Sequence, residues 1–306
     1  ADRLRCASDR LETWSACGRD KVRCVLEALR LSRDCDELVC GHLFLLPVAW
    51  LAKQFNPRLR YHLIAHGIEV WRPFSVAERI ALRGASKVLC VSDYTRREVL
   101  KNCPLPEGRA VVLHNALDPA FSISPGRPLA ECSSTILVVT RLTYADRYKG
   151  VQHMIEAMPE IRAAAPNAKL RIVGRGDDTP RLKKLSHDLH LDEIVEFAGY
   201  IDDAALMREM SSCRLFALPS RKEGFGLVFL EAMARGRPCL GARAGGVPEV
   251  ITPETGMLVE YGDVPAIASA CITLLRSEMK QEDILARARH FSFESFRARL
   301  NTLLTP

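Results

Sequence analysis

No stretch of this 306-residue chain approaches the roughly 18 consecutive apolar residues of a membrane-spanning helix, so a helix crossing a bilayer is not expected. The first thirty residues carry charge throughout, unlike a secretory leader. Aromatic residues are scarce, at 7%. Neither a stacking platform nor a groove-reading helix accompanies the basic residues, which argues against nucleic acid as a partner. Cysteine is present but unpatterned. The count of eleven is odd, and Cys6, Cys17, Cys24, Cys35 and Cys40 show no Cys-x-x-Cys spacing. They read as free thiols of a reducing compartment, neither zinc ligands nor a disulfide frame, so a cytoplasmic protein is expected.

What remains is an ordinary globular composition, 48% hydrophobic and 26% charged. The length suggests two domains of roughly 100–200 residues each. Charge is unevenly shared. Residues 1–120 hold 19 Lys and Arg against 14 Asp and Glu, and residues 121–306 hold 24 against 23. Arg72, Arg79, Arg83, Lys87, Arg96, Arg97 and Lys101 cluster around two short predicted helices. Two readings stand open: a patch facing anionic lipid or a phosphate-bearing acceptor, and a solvated basic face.

Strand and helix patterns alternate along both halves. In the second, strands are predicted at 135–139, 170–173, 194–197, 215–219, 238–241 and 257–259. Between them fall helices at 151–164, 180–190, 203–212 and 227–235. The first half repeats the pattern less clearly, with helices at 20–33, 44–53, 74–82 and 93–101 and strands at 37–41, 60–65, 87–91 and 110–113. The β-α-β-α order argues for doubly wound parallel sheets. Asp118 to Ser133, with Pro119, Pro125, Gly126 and Pro128, reads as a linker. This gives an N-terminal domain at 1–120, a C-terminal domain at 121–290 and a last helix within 291–306.

The richest segment runs from Ser220 to Gly236. Glu223 and Glu231 stand eight residues apart, with Gly224, Phe225 and Gly226 turning the chain into an apolar helix that begins at Leu227. The glycines permit backbone conformations closed to other residues. They leave the amides of residues 225–227 facing outward at a helix N-terminus, where a phosphate is favoured. Glu231 follows about one helical turn (~6 Å) behind. A nucleoside diphosphate sugar, with hydroxyls on both sides of its phosphates, would satisfy both acids.

Glu-x7-Glu in this setting resembles the signature of retaining glycosyltransferases of family 4 (glycosyl transferases group 1). The resemblance implies the GT-B fold: two Rossmann-like domains facing a cleft, the last helix crossing back onto the first. It implies that Glu223 binds the donor sugar's hydroxyls and Glu231 the ribose. Arg141, at a strand end, and Lys149, before Gly150, resemble the family's phosphate clamp, which also stabilises charge on the departing diphosphate. Gly174-Arg-Gly176 resembles the family's nucleotide turn. A dinucleotide fingerprint fails there, because Asp177 to Pro180 supply no third glycine. Gly199, Tyr200 and Ile201 stand where family members receive the nucleobase, Tyr200 being equally readable as a packed aromatic. His66, after strand 60–65, is implied to contact the donor sugar near the reacting centre.

The implied reaction is transfer of a hexose-type sugar, with retention, from a UDP- or GDP-linked donor to a hydroxyl acceptor, a glycolipid or polysaccharide intermediate. Membrane contact would run through the N-terminal domain, at the inner face. No cofactor or metal is predicted, since Arg141 and Lys149 supply the positive charge and Asp34-Cys35-Asp36 lies away from the expected cleft. In one respect the chain departs from the family. Residues 1–19 show no opening strand or Gly-Gly loop, so a shortened first domain is expected. Two rival functions stand beside this reading: a non-catalytic nucleotide-sugar-binding subunit, which would lack that loop, and a GT-B-like sugar epimerase, which would share the sheets and some phosphate contacts.

Overall fold

The computed structural model describes residues 15–18, 20–119 and 121–304. Cys6 and most of the segment 1–19 lie outside the described residues. The chain divides into two compact units. One takes the chain up to Ala65 with Glu69–Leu89 and Glu98–Val111; the other takes His66–Ile68, Cys90–Arg97 and everything from Val112 onward.

The first unit carries a four-stranded sheet of β1 (Glu37–Cys40), β2 (Arg60–Ala65), β3 (Lys87–Cys90) and β4 (Ala110–Val112), in that order, with β1 and β2 parallel. Helices α1 (Lys21–Leu31), α2 (Leu46–Phe55), α3 (Val76–Gly84) and α4 (Asp93–Asn102) alternate with the strands, the first half of α4 falling in the second unit. Helix α3 opens on a capping box. The Ser75 hydroxyl accepts the Glu78 amide and the Glu78 carboxylate accepts the Ser75 amide, so two otherwise orphaned donors are satisfied. The basic cluster of this region is largely engaged. Arg72 pairs with Glu78, Arg96 and Arg97 pair with Asp93, and Lys101 approaches Glu98. Counting charges overstated its free positive charge, because a count cannot see which acids lie alongside.

The second unit carries a six-stranded sheet. Its strands are β5 (Thr135–Val139), β6 (Lys169–Val173), β7 (Val195–Gly199), β8 (Leu215–Leu218), β9 (Cys239–Ala242) and β10 (Gly256–Val259). Their spatial order is β10-β9-β8-β5-β6-β7, and every pair is parallel. The chain starts at β5, builds outward to β7, then returns to the other side of β5 with β8. The order therefore reverses between β5 and β8, where open parallel sheets present their ligand crevice. Strands β8 and β9 are buried along their whole length, which explains their near-continuous apolar sequence.

Helices α5 (Val151–Ala164), α6 (Thr179–Asp188), α7 (Asp203–Ser212) and α8 (Leu227–Met233) connect these strands, and α9 (Val264–Arg276), α10 (Gln281–His290) and α11 (Phe293–Leu304) follow the sheet. In α5 the buried residues Val151, Met154, Ile155, Met158 and Ile161 recur at three- and four-residue steps, the stripe that seats a helix on a sheet. Phe229 of α8 is fully buried and meets Phe216 of β8 edge to face, ring centroids 5.5 Å apart.

Two expectations are corrected. Helix α8 ends at Met233, not at Arg235, because Gly236, at φ +70°, turns its amide back to the Met233 carbonyl and closes the last turn early. Residues 118–133 are not a free linker. The amides of Ser124, Gly126 and Arg127 donate to the carbonyls of Ala234, Arg235 and Ser211, and Leu129 is buried. Helices α9 and α10 had no counterpart among the expected elements.

Candidate active site

The loops that leave β5, β6, β7 and β8 are laced together at the carboxyl edge of the second sheet. The Thr140 amide donates to Val173, Leu142 to Arg175, and Gly174 to Gly199. Arg221, after β8, donates its amide to the Tyr148 carbonyl, which ties the β8 loop to the β5 loop. Glycine shapes the loop that follows β8 at two positions. A Cβ on Gly224 would collide with the His66 carbonyl oxygen, and Gly226 starts α8 at φ +98°, in the left-handed region. Glu223, just ahead of both glycines, is fixed through its backbone, its carbonyl accepting the Gly246 amide at 2.8 Å.

This lacing brings Lys149 to Glu223. Their ammonium and carboxylate meet at 2.6 Å, with side chains only 16% and 14% exposed. Arg141 reaches Asp146 at 3.0 Å and otherwise stands in solvent. Asp146 is buried. Beside Arg141 it accepts hydrogen bonds from Thr143 Oγ1 at 2.7 Å and from the Tyr148 hydroxyl at 3.1 Å. Burial first, and then the bond to Asp146, pushes the Tyr148 hydroxyl up to about 12, so it remains a donor at neutral pH.

His66, Arg141, Lys149, Glu223, Gly224, Phe225, Gly226 and Leu227 all line one cavity of about 390 Å³, every lining residue of which belongs to the second unit. Asn115, Val139, Thr140, Leu218 and Val228 complete the wall and were absent from the predicted site. The signal for Asn115 was its place just after a predicted strand; Val139 and Leu218 gave none beyond ending strands, and Val228 none beyond opening a helix. The Phe225 side chain is committed to packing, stacked on His114 with ring centroids 5.3 Å apart and edge-on to Phe291.

The remaining predicted residues stand outside that lining. Gly174, Gly199 and Tyr200 form a neighbouring group at the ends of β6 and β7, where the Arg175 guanidinium lies 5.2 Å from the Tyr200 ring centroid; Ile201 follows, half-buried. Glu231 is half-buried in α8, and burial, with Asp203 adding to it, raises its carboxyl above the usual range. Arg147 has a structural role. It binds Asp178 at 2.7 Å and lies 3.9 Å from the Tyr144 ring centroid. Glu249 accepts the amides of Asp93 and Tyr94 at 2.8 and 3.0 Å, capping α4 alongside Ser92, which accepts Thr95. Among the described residues no cluster of His, Cys, Asp and Glu is placed to hold a metal ion.

A sequence model described as Glycosyl transferases group 1 matches residues 133–277, and one described as Glycosyltransferase Family 4 matches residues 18–121. A Corynebacterium glutamicum protein named GDP-mannose-dependent monoacylated alpha-(1-6)-phosphatidylinositol monomannoside mannosyltransferase is 31% identical over 262 residues, 78% of this chain and 68% of that protein. The chain belongs to glycosyltransferase family 4. A second relative, N-acetyl-alpha-D-glucosaminyl L-malate synthase of Bacillus anthracis, is 41% identical over 153 residues, half of this chain. The chain spans only 39% of that relative's length. Among solved structures, Anabaena HepE in complex with UDP superposes with a TM-score of 0.78 at 22% identity, over 92% of this chain and 81% of that one. The apo lipopolysaccharide outer core galactosyltransferase WaaB gives 0.75 at 17%, over 92% and 79%. With the two parallel sheets, these likenesses establish the GT-B fold for this family 4 member.

Proposed function

We propose that this family 4 member is a retaining glycosyltransferase that moves a hexose-type sugar from a UDP- or GDP-linked donor to a hydroxyl acceptor without a metal ion. The observation that carries the reading is the convergence of Lys149, Glu223, Arg141 and His66 on one cavity at the reversal point of the second sheet. A diphosphate there would share the Lys149 ammonium with Glu223 and draw on Arg141 across the opening, so the growing charge of the leaving group is met by fixed cations. Sugar hydroxyls would donate to Glu223, and His66, whose carbonyl packs against neighbouring Gly224, would also meet the sugar. The bond from the anomeric carbon to the diphosphate breaks as the acceptor oxygen bonds on the same face. The acceptor's proton passes to the departing phosphate oxygen. Gly174, Gly199, Tyr200 and Ile201 would seat the nucleobase, and Glu231 the ribose.

The name of the Corynebacterium relative supports a lipid-borne acceptor hydroxyl. The free state of all described cysteines supports a cytoplasmic location, and a lipid acceptor would bring the protein to the membrane's inner face.

The test is a transfer assay with radiolabelled nucleotide sugars, run beside calorimetry with UDP and GDP. Glu223→Gln should lower turnover by roughly 10²–10³-fold. Its affinity for the free diphosphate should stay level or rise, because Lys149 loses a competing partner. Lys149→Ala should weaken both, and unchanged nucleotide affinity in that variant would contradict the clamp. Donor binding without transfer would favour a nucleotide-sugar-binding subunit, and donor epimerisation without an acceptor would favour an epimerase.

A further inference from the structure

A second cavity, of about 530 Å³, opens at the C-terminal ends of α7 and α8 and is lined by Arg127, Met207, Arg208, Ser211, Ser212 and Arg235. Three guanidinium groups line it and no carboxylate does. Arg235 is the unusual member, being 7% exposed. Its Nη1 donates to Ser124 Oγ at 2.6 Å, and its Nη2 reaches only the thioether of Met207, a weak acceptor. Its Nε has no acceptor. The Phe121 ring, 5.1 Å from the guanidinium carbon, gives part of the missing compensation. Burial alone pulls this guanidinium below its usual range, with no acid acting against the shift.

Behind it, fully buried Arg237 adds a further positive charge whose partners are the carbonyls of Arg235, Cys213 and Arg127 and the Cys132 sulfur. Among the described residues none of these arginines has a carboxylate in ion-pair reach. A buried charge left without a counter-ion is costly, by several kcal/mol. The C-terminus of α7 offsets little of it, since a helix end carries about half a negative charge. The hydroxyls of Ser211 and Ser212 already donate to helix carbonyls, so the attraction comes from the arginines.

We propose that this cavity is an anion site, separate from the donor cavity, that takes a phosphoryl or sulfate-type oxyanion between Arg127, Arg208 and Arg235. The arginine fork matches the planar spacing of two oxyanion oxygens, and three forks suit a doubly charged group better than a single carboxylate. The volume falls within the range of pockets that hold whole small molecules, about 300–1,000 Å³, so the oxyanion belongs to a phosphorylated metabolite or headgroup as readily as to a free ion.

The experiment measures thermal unfolding while inorganic phosphate, and then glucose 6-phosphate, replaces chloride at constant ionic strength. A parallel arm floats the protein with phosphatidylglycerol or phosphatidylcholine vesicles, which distinguishes a lipid headgroup from a soluble ligand. The oxyanion should raise Tm by several degrees near saturation. Lys149→Ala, which damages the donor clamp, should leave that rise intact. R127A/R208A changes two exposed residues and should fold; it should lower oxyanion affinity by at least about tenfold while leaving UDP or GDP binding unchanged. Arg235→Met should abolish the rise. Vesicle binding that needs phosphatidylglycerol and vanishes in R127A/R208A would place the phosphoryl group on a lipid. The proposal is overturned by the absence of both responses, or by a response that survives R127A/R208A and disappears in Lys149→Ala.

Discussion

Asp146 does not line the candidate cavity, yet Arg141, which does, converges on it together with Thr143 and Tyr148. Arg141 is 74% exposed, so its ion pair contributes little to stability, within about 0–1 kcal/mol. Its value is orientation, because a guanidinium tethered at one nitrogen presents the others in a fixed fork. Asp146→Asn should therefore raise the KM for the donor by about tenfold, the scale of one lost charged hydrogen bond, and leave kcat nearly unchanged. Steady-state kinetics with the donor varied checks this; an unchanged KM removes Asp146 from the site. The basic and acidic groups of the cavity were legible because each sits at a strand end or helix start, where side chains face the carboxyl edge of a sheet. Asp146 was not, since its partners meet only when residues 144–149 wind into a 3-10 turn. Arg147, in the same run, gave no sequence sign that Asp178, 31 residues on, would claim it.

Helix α3 shows how much one cap can contribute. The Arg72 guanidinium holds the Glu78 carboxyl down to about 2 from 4.5; burial opposes this, and the Ser75 amide adds to it. A carboxyl depressed on folding stabilises the fold above its unfolded value and loses that contribution as pH falls through the folded one. The window here runs from about 4.5 down to about 2, and the contribution is on the order of 2–3 kcal/mol. Urea unfolding of the wild type should weaken across this window. Glu78→Gln should be less stable at neutral pH and show a flatter profile there; a profile matching the wild type would remove Glu78 as its source. The Ser75-to-Glu78 spacing is visible in the sequence, whereas Arg72 as third partner is not. Glu249 makes the same point across distance, since burial pushes its carboxyl up but bonds from His114 and the amides of Asp93 and Tyr94 outweigh that. A residue 156 positions away caps α4, and no local pattern announces it.

The proposed donor site lies wholly within one of the two units. Every residue lining that candidate cavity lies in the second unit, and both described tryptophans, Trp50 and Trp71, lie in the first. A nucleoside diphosphate at about 100 times its Kd should stabilise the unit that binds it by about 2.7 kcal/mol. Its addition should thus move the circular-dichroism melt upward by more than the tryptophan-fluorescence melt. Equal shifts would mean that both units unfold as one. Short apolar runs alternating with helical stripes of 3.6-residue period were enough to reveal two parallel sheets, because a strand buried on both faces and a helix buried on one each stamp their pattern on the local sequence whatever the partner. The same locality marked Arg141, Lys149 and Glu223 as ends of elements. Strand order is different. That β8 lies beside β5, 80 positions earlier and ahead of two other strands, follows from packing across the sheet, and nothing in either strand's own residues records its neighbour. The salt link from Lys149 to Glu223 and the acid-free arginine pocket both depend on that order, since each joins side chains that only the completed sheet brings within a few ångströms.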